Sequence, residues 1–157
     1  MAVPHEMRLI ENRQRVVRVR VGPLEEFLKN VKGEIGLGPE SVAVRLIGDP
    51  EMARLNERYR KKKGPTDVLS FPAAQDSAKP GTLRQQVRKA GEVFLGDIAI
   101  APKVARRNAK LLGRGLGEEL KVLILHGVLH LLGYDHETDR GEMERIEMRL
   151  RRKLGIA

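Results

Sequence analysis

Residues 122–132 are apolar nearly all round, interrupted only by two histidines and a glycine. A helix with apolar residues on every side has to be buried, so this segment predicts the central helix of the fold, running from Gly117 to Gly133. His126 and His130 stand at i and i+4, which puts both rings on one helix face about one turn apart. Gly133 suits the left-handed conformation that ends a helix and turns the chain back. That reversal brings His136 round to meet the other two rings, so three of the chain's four histidines converge. Three neutral imidazoles suit zinc at roughly 2.0–2.1 Å per bond, with a fourth position left for water. The expectation is one zinc per chain, held by His126, His130 and His136.

A single histidine on an apolar helix is ordinarily a core residue. Here the one-turn pair, the third histidine and the intervening glycine all agree with a three-ligand site. The spacing can be set beside the long zinc-protease motif H-E-x-x-H-x-x-G-x-x-H. The chain matches its histidines and its glycine, but Gly127 stands where the motif has Glu. That Glu is the general base of peptide hydrolysis. The metal cage is kept and the protease apparatus is not.

At 157 residues the chain is long enough for one domain with a real core. No apolar run approaches a membrane span, and the polar, basic N-terminus has no secretory pattern, so the expected location is the cytoplasm with no membrane partner. The absence of cysteine removes disulfides and thiolate ligands. A net charge of +9 points to nucleic acid, although charge is also simply a solvated surface. The cations cluster: Arg54, Arg58, Arg60, Lys61, Lys62 and Lys63 form one group, and Lys103, Arg106, Arg107 and Lys110 a second. Only three Phe and two Tyr are present, so phosphate contacts should dominate over a broad base-stacking platform.

Along the chain, residues 1–14 read as a variable N-terminal tail or leading strand, and 15–157 as one domain. Val17, Val19 and Val21 alternate with Arg18 and Arg20, which predicts a half-exposed strand. A helix follows over 24–32, then a turn over 33–39, and a second alternating strand at Val42, Val44 and Leu46. Asp49 and Pro50 open a helix, Asp as cap and Pro at the first helical position. A short strand runs from Val68 to Phe71. Residues 73–91 have no core pattern and read as a mobile surface insertion. Residues 93–100 predict a central strand, and Pro102 begins a helix reaching Leu112. Asp139 and Glu142 resemble a capping box for a last helix carrying Met143, Ile146, Leu150 and Leu154. The pattern is an α+β domain, roughly a four-stranded mixed sheet packed with about five helices.

Tyr59-Arg60, residues 66–72 (TDVLSFP), residues 96–100 (GDIAI) and the three-histidine segment together closely resemble the YbeY family of bacterial proteins. The resemblance spans about residues 42–150. It implies a zincin-like fold with the metal site on the central helix. It also implies a zinc-dependent, single-strand-specific endoribonuclease acting on ribosomal RNA of the small subunit, in 3′-end maturation and ribosome quality control. His126, His130 and His136 match the family's metal ligands, and Arg60 matches its arginine in the active-site cleft. The chain departs from the family pattern in residues 73–91, which are longer than the usual link, and in the first 14 residues.

The chemistry stands beside that resemblance. Bound zinc lowers the pKa of water to about 7 and acts as a Lewis acid. Arg60 is the catalytic candidate because a guanidinium grips a phosphate bidentately. Asp97 and Asp135 are candidates to orient a ligand histidine through its second ring nitrogen, or to fix local backbone. Ser70 and Thr66 are expected to bond to backbone rather than act as nucleophiles. Two other readings stay open. One is a metal-dependent hydrolase of another substrate, with peptides disfavoured by Gly127. The other is a non-enzymatic ribosome-assembly factor with structural zinc.

Overall fold

Val42, Val44 and Leu46 are buried on one side of their strand while Arg45 emerges on the other, and this strand lies inside the sheet. The structure, a computed structural model, describes residues 9–73, 94–135 and 139–156. Within them the sheet has four strands in the order β1-β2-β4-β3. β1 is Ile10–Asn12, β2 Val42–Leu46, β3 Val68–Pro72 and β4 Gly96–Ile100. β1 and β4 run parallel to β2, and edge strand β3 pairs antiparallel with β4, so the sheet is mixed. Five helices accompany it among the described residues: α1 Val21–Ile35, α2 Asp49–Arg60, α3 Pro102–Leu112, α4 Leu116–Leu131 and α5 Glu142–Leu154. This is the α+β arrangement that the sequence predicts. No helix among the described residues is long and apolar enough to cross a membrane.

Strand alternation divides the core in two. Val44, Leu46, Ile98 and Ile100 face a large cluster that includes Leu28 of α1, Ile124 and Val128 of α4, and Met143 of α5. Leu69, Ala99 and Ile47 face a smaller cluster closed by Met52 of α2. Helix α4 packs against α1, α3, α5, β3 and β4, so the histidine-bearing segment is the central helix. It ends as expected: Gly133 has φ 99°, and its N–H donates to the His130 carbonyl at 2.9 Å.

Three expectations are corrected. The alternating valines at 17–21 form no strand. The side chain of buried Gln14 donates to the Val17 carbonyl at 2.8 Å and accepts from the Val17 N–H at 2.9 Å, supplying both bonds that a strand partner otherwise makes. Val21 already belongs to α1, whose first turn tolerates Pro23. The fourth strand is instead β1, inside the segment read as a tail or leading strand. Asp49 is also not the cap of α2; Gly48 is, and Asp49 lies in the first turn, where its charge suits the helix dipole. At α5 the N-cap is Gly141 rather than Asp139, so the capping box does not form. The Asp139 carboxylate still accepts from the Gly141 and Met143 N–H groups at 2.8 and 2.9 Å, and Glu142 accepts from Arg140 N–H at 2.7 Å. The insertion read at 73–91 lies, after Ala73, outside the described residues.

Gly127 explains how α4 sits so close to the sheet. A Cβ at this position meets the Ile98 side chain at 2.8 Å, including the stiff branch atoms next to its own Cβ. Neither alanine nor the motif's glutamate has room. Gly127→Ala is therefore expected to lose about 1–3 kcal/mol in urea unfolding through overpacking, despite a helix-propensity gain of about 1 kcal/mol. Ile98→Ala in the same chain should recover part of that loss. A Gly127→Ala protein as stable as the wild type removes the close approach.

Lys32 of α1 is buried, and its ammonium donates to the Pro39 and Val42 carbonyls at 2.6 and 3.2 Å. Burial lowers its pKa from 10.5 to about 8, opposed by the charge of Glu40. Between these values the unfolded chain binds the proton and the folded chain releases it. Stability linked to Lys32 must then rise as pH climbs through that window. A rise on the order of 1–3 kcal/mol is expected across it, and Lys32→Met should flatten it in matched urea titrations.

Candidate active site

A cavity of about 580 Å³ runs along edge strand β3, with α4 on one side and the C-terminal end of α2 on the other. All five β3 residues line it, together with Tyr59, Arg60, His126, His130 and Asp135. Residues more than sixty positions apart thus meet because α2 enters the edge strand through a short loop. That loop is held rigidly. Lys61 caps α2 in the left-handed region at φ 56°, and its N–H donates to the Glu57 carbonyl at 3.0 Å. The buried Asn56 amide donates to the Gly64 carbonyl at 2.8 Å. Asp67 then ties the loop to the next elements: its carbonyl accepts from Ala101 N–H at 2.9 Å, and its carboxylate from the Asn108 amide at 3.3 Å.

On α4 the one-turn spacing does what the sequence predicts. The Nε2 atoms of His126 and His130 lie 3.0 Å apart, and the ring centroids 4.6 Å apart. Two nitrogens bound to one tetrahedral zinc stand about 3.3 Å apart, given bonds of 2.0–2.1 Å. The pair fits that demand closely. His126 Nδ1 lies 3.0 Å from the Glu147 carboxylate. A carboxylate accepts, so Nδ1 is the nitrogen that donates to Glu147, and Nε2 is turned towards His130 on the cavity side. This is the outer-shell pattern that orients metal-ligating histidines. Glu147 is buried and also pairs with Arg151 at 3.7 Å.

Among the described residues no third histidine or carboxylate completes a metal-holding group. His136, the third expected ligand, lies outside them. Asp135 is on the cavity wall. Asp97 is not: Gly96-Asp97 opens β4 rather than forming a turn, and Asp97 points to the α2 side of the sheet, where it pairs with Arg45 at 3.4 Å. Alternation along β4 forbids Asp97 from sharing a face with Ile98, which meets α4. Gly96 is required because a Cβ there strikes the Phe71 carbonyl. Ser70 Oγ donates to the Gly127 carbonyl at 3.2 Å and Thr66 Oγ1 to Asp67 at 3.4 Å, so both hydroxyls have structural partners.

Sequence reasoning missed Glu147. The signal was present: Met143, Glu147 and Leu150 follow i, i+4, i+7, so the glutamate sits on the buried stripe of α5. A charge on such a stripe requires a partner inside. Glu119, in the first turn of α4, is a second buried carboxylate. Burial raises its pKa, opposed by Arg114, which pairs with it at 3.4 Å.

Comparison with known proteins agrees with this arrangement. The family model of Endoribonuclease YbeY matches residues 9–155. The Endoribonuclease YbeY of Solibacter usitatus is 42% identical over 133 residues, covering 85% of this chain and 78% of that protein. That of Aquifex aeolicus is 40% identical over 128 residues, covering 82% and 77%. A Thermotoga maritima protein solved in solution aligns with a TM-score of 0.55 at 26% identity, covering 92% of this chain and 88% of its own. With a family match running from β1 past the end of α5, this chain belongs to the endoribonuclease YbeY family.

Proposed function

We propose that the chain is a zinc-dependent endoribonuclease that cuts single-stranded RNA. Its place is small-subunit ribosomal RNA 3′-end maturation and ribosome quality control, in the cytoplasm and with the small ribosomal subunit as partner. The observation that carries this reading is the meeting of Arg60 with the converged His126–His130 pair in one cavity. His126, His130 and His136 hold the zinc, one per chain. When bound, zinc lowers the pKa of water to about 7 and acts as a Lewis acid towards a phosphoryl oxygen.

The chain's own groups do the rest. The Arg60 guanidinium, at the exposed end of α2, binds the phosphate and opposes the charge that develops on its equatorial oxygens. Glu147 keeps His126 in the tautomer that presents Nε2. Asp135 offers a hydrogen-bond acceptor on the same wall. Lys61, Lys62 and Lys63, exposed beside the cavity, draw the strand in. Peptide hydrolysis is disfavoured by packing as well as by residue type, because Ile98 fills the space that a carboxylate at position 127 requires.

Replacing His126 and His130 together by Ala should abolish both metal content and RNA cleavage in protein purified without a histidine tag. Near-stoichiometric metal surviving that change rules the site out. Glu147→Gln should keep the fold and weaken zinc about 10- to 100-fold in competition with a chelator. At matched metal content, Arg60→Ala should lower cleavage of unstructured RNA about 100- to 1,000-fold, with partial rescue by Arg60→Lys. Assays beside duplex RNA and an unfolded protein substrate complete the test. Metal-dependent proteolysis lost in His130→Ala, with RNA untouched, restores the protease reading.

A further inference from the structure

We propose that Tyr59 is a stacking platform for one unpaired base of the RNA entering the cavity, and that this ring is a source of single-strand preference. The inference rests on the nuclease reading for the identity of the strand, and on geometry for the platform. Of the chain's five aromatic rings Tyr59 is the most exposed, at 57%, whereas Phe27 and Tyr134 are buried. Its place is specific. Tyr59 and Phe71 line both the histidine cavity and a neighbouring groove of about 360 Å³ on the α2 side of the sheet. The two rings meet edge to face, with centroids 5.1 Å apart and planes at 72°. They form a ridge between the two hollows, and a strand passing from one to the other must cross it.

The ridge is rigid and flanked by cations. Tyr59 belongs to the last turn of α2, whose end is fixed by the Lys61 cap and the Asn56–Gly64 hydrogen bond. Phe71 belongs to β3 and is paired in register with Asp97. The Arg58 guanidinium stands over one face of the Tyr59 ring, 5.5 Å from its centroid, so a base must take the other face or displace that side chain; Arg60 follows next in sequence. An exposed aromatic between backbone-binding cations is the composition that holds single strands, because every base has a π-face. Arg60 grips a phosphate in the cavity while the adjoining ring receives a base. In a duplex that base is already stacked on both sides and cannot be offered without unpairing. The scarcity of aromatics elsewhere makes this a single-base contact that tolerates sequence.

The test is binding and cleavage measured separately, on full-length zinc-loaded protein. A short unstructured RNA, labelled at one end, is titrated by anisotropy with wild type, Tyr59→Ala, Tyr59→Leu, Tyr59→Phe and Tyr59→Trp. The same RNA carrying one abasic residue, moved along the strand, is titrated in parallel. Tyr59→Ala is expected to weaken binding about tenfold with metal content unchanged. Phe and Trp should restore it and Leu should not. One abasic position should cost the wild type about as much, and nothing further in Tyr59→Ala. Equal affinity of wild type and Tyr59→Ala, rescue by Leu as complete as by Phe, or a flat abasic profile overturns the platform. If the binding pattern appears but no RNA is cut, the platform stands and the nuclease reading falls. If RNA is cut with no dependence on Tyr59, the nuclease reading stands and the platform falls.

Discussion

The approach of α4 to the sheet at Gly127 and Ile98 sets the geometry of everything around it. With no side chain between them, helix and strand meet at atomic contact, and the Gly127 carbonyl comes within reach of Ser70 on the edge strand. Edge strand β3 is thereby drawn alongside α4 and becomes the wall of the cavity. His126 and His130 flank the contact at one-turn spacing, so their height above β3 follows from the packing. A larger residue at 127 lifts the helix and widens the gap that Arg60 must span. The same contact bears on residue choice at position 127. The position that holds a general base in the long zinc-protease motif is occupied here by core packing, so an activity at this site has to draw on other groups.

Those groups arrive from independent elements of the fold. Arg60 is placed by the end of α2, the histidines by the middle of α4, and Glu147 by α5. Each is anchored in hydrophobic packing before it reaches the site: Met52 for α2, Ile124 and Val128 for α4, Met143 and Leu150 for α5. The described part of the site therefore draws its rigidity from the two core clusters, and the loop after α2 adds to it through the Asn56–Gly64 and Asp67–Asn108 bonds. Rigidity of this kind suits a reaction whose catalysis is mostly positioning and charge stabilisation.

The sequence was most legible where local chemistry and burial agree. Pro102 and Gly113 bracket α3, Pro50 marks the first turn of α2, and the unbroken apolar run around His126 announces the buried helix. It misled where one long-range bond decided the outcome. The valines at 17–21 alternate as well as any strand, but Gln14 takes both backbone groups of Val17 from three residues away, and Val21 already opens α1. Asp97 sits beside a glycine in a motif that suggests a site, yet its face is decided by strand parity relative to Ile98. Glu147 was legible as a charge on the buried stripe of α5, but its partner was not, because His126 lies 21 positions earlier on a helix whose crossing with α5 no local pattern encodes.

Buried charge separates function from scaffolding here. Lys32 and Glu147 both interrupt apolar helix stripes, and burial of either costs free energy that a hydrophobic residue does not. Lys32 is satisfied by the backbone carbonyls of Pro39, in the turn before β2, and of Val42, at the start of β2, so it joins α1 to that turn and strand. The partners of Glu147 are an arginine and a histidine whose other nitrogen faces an open cavity. Stability alone does not require that arrangement: a leucine at 147 continues the stripe of Met143 and Leu150. What the carboxylate adds is a fixed orientation of the His126 ring, and with it the 3.0 Å approach of His126 Nε2 to His130 Nε2. Glu147 thus serves the geometry of the histidine pair as well as the packing of α5, and an outer carboxylate of this kind is what orients a histidine towards a shared partner.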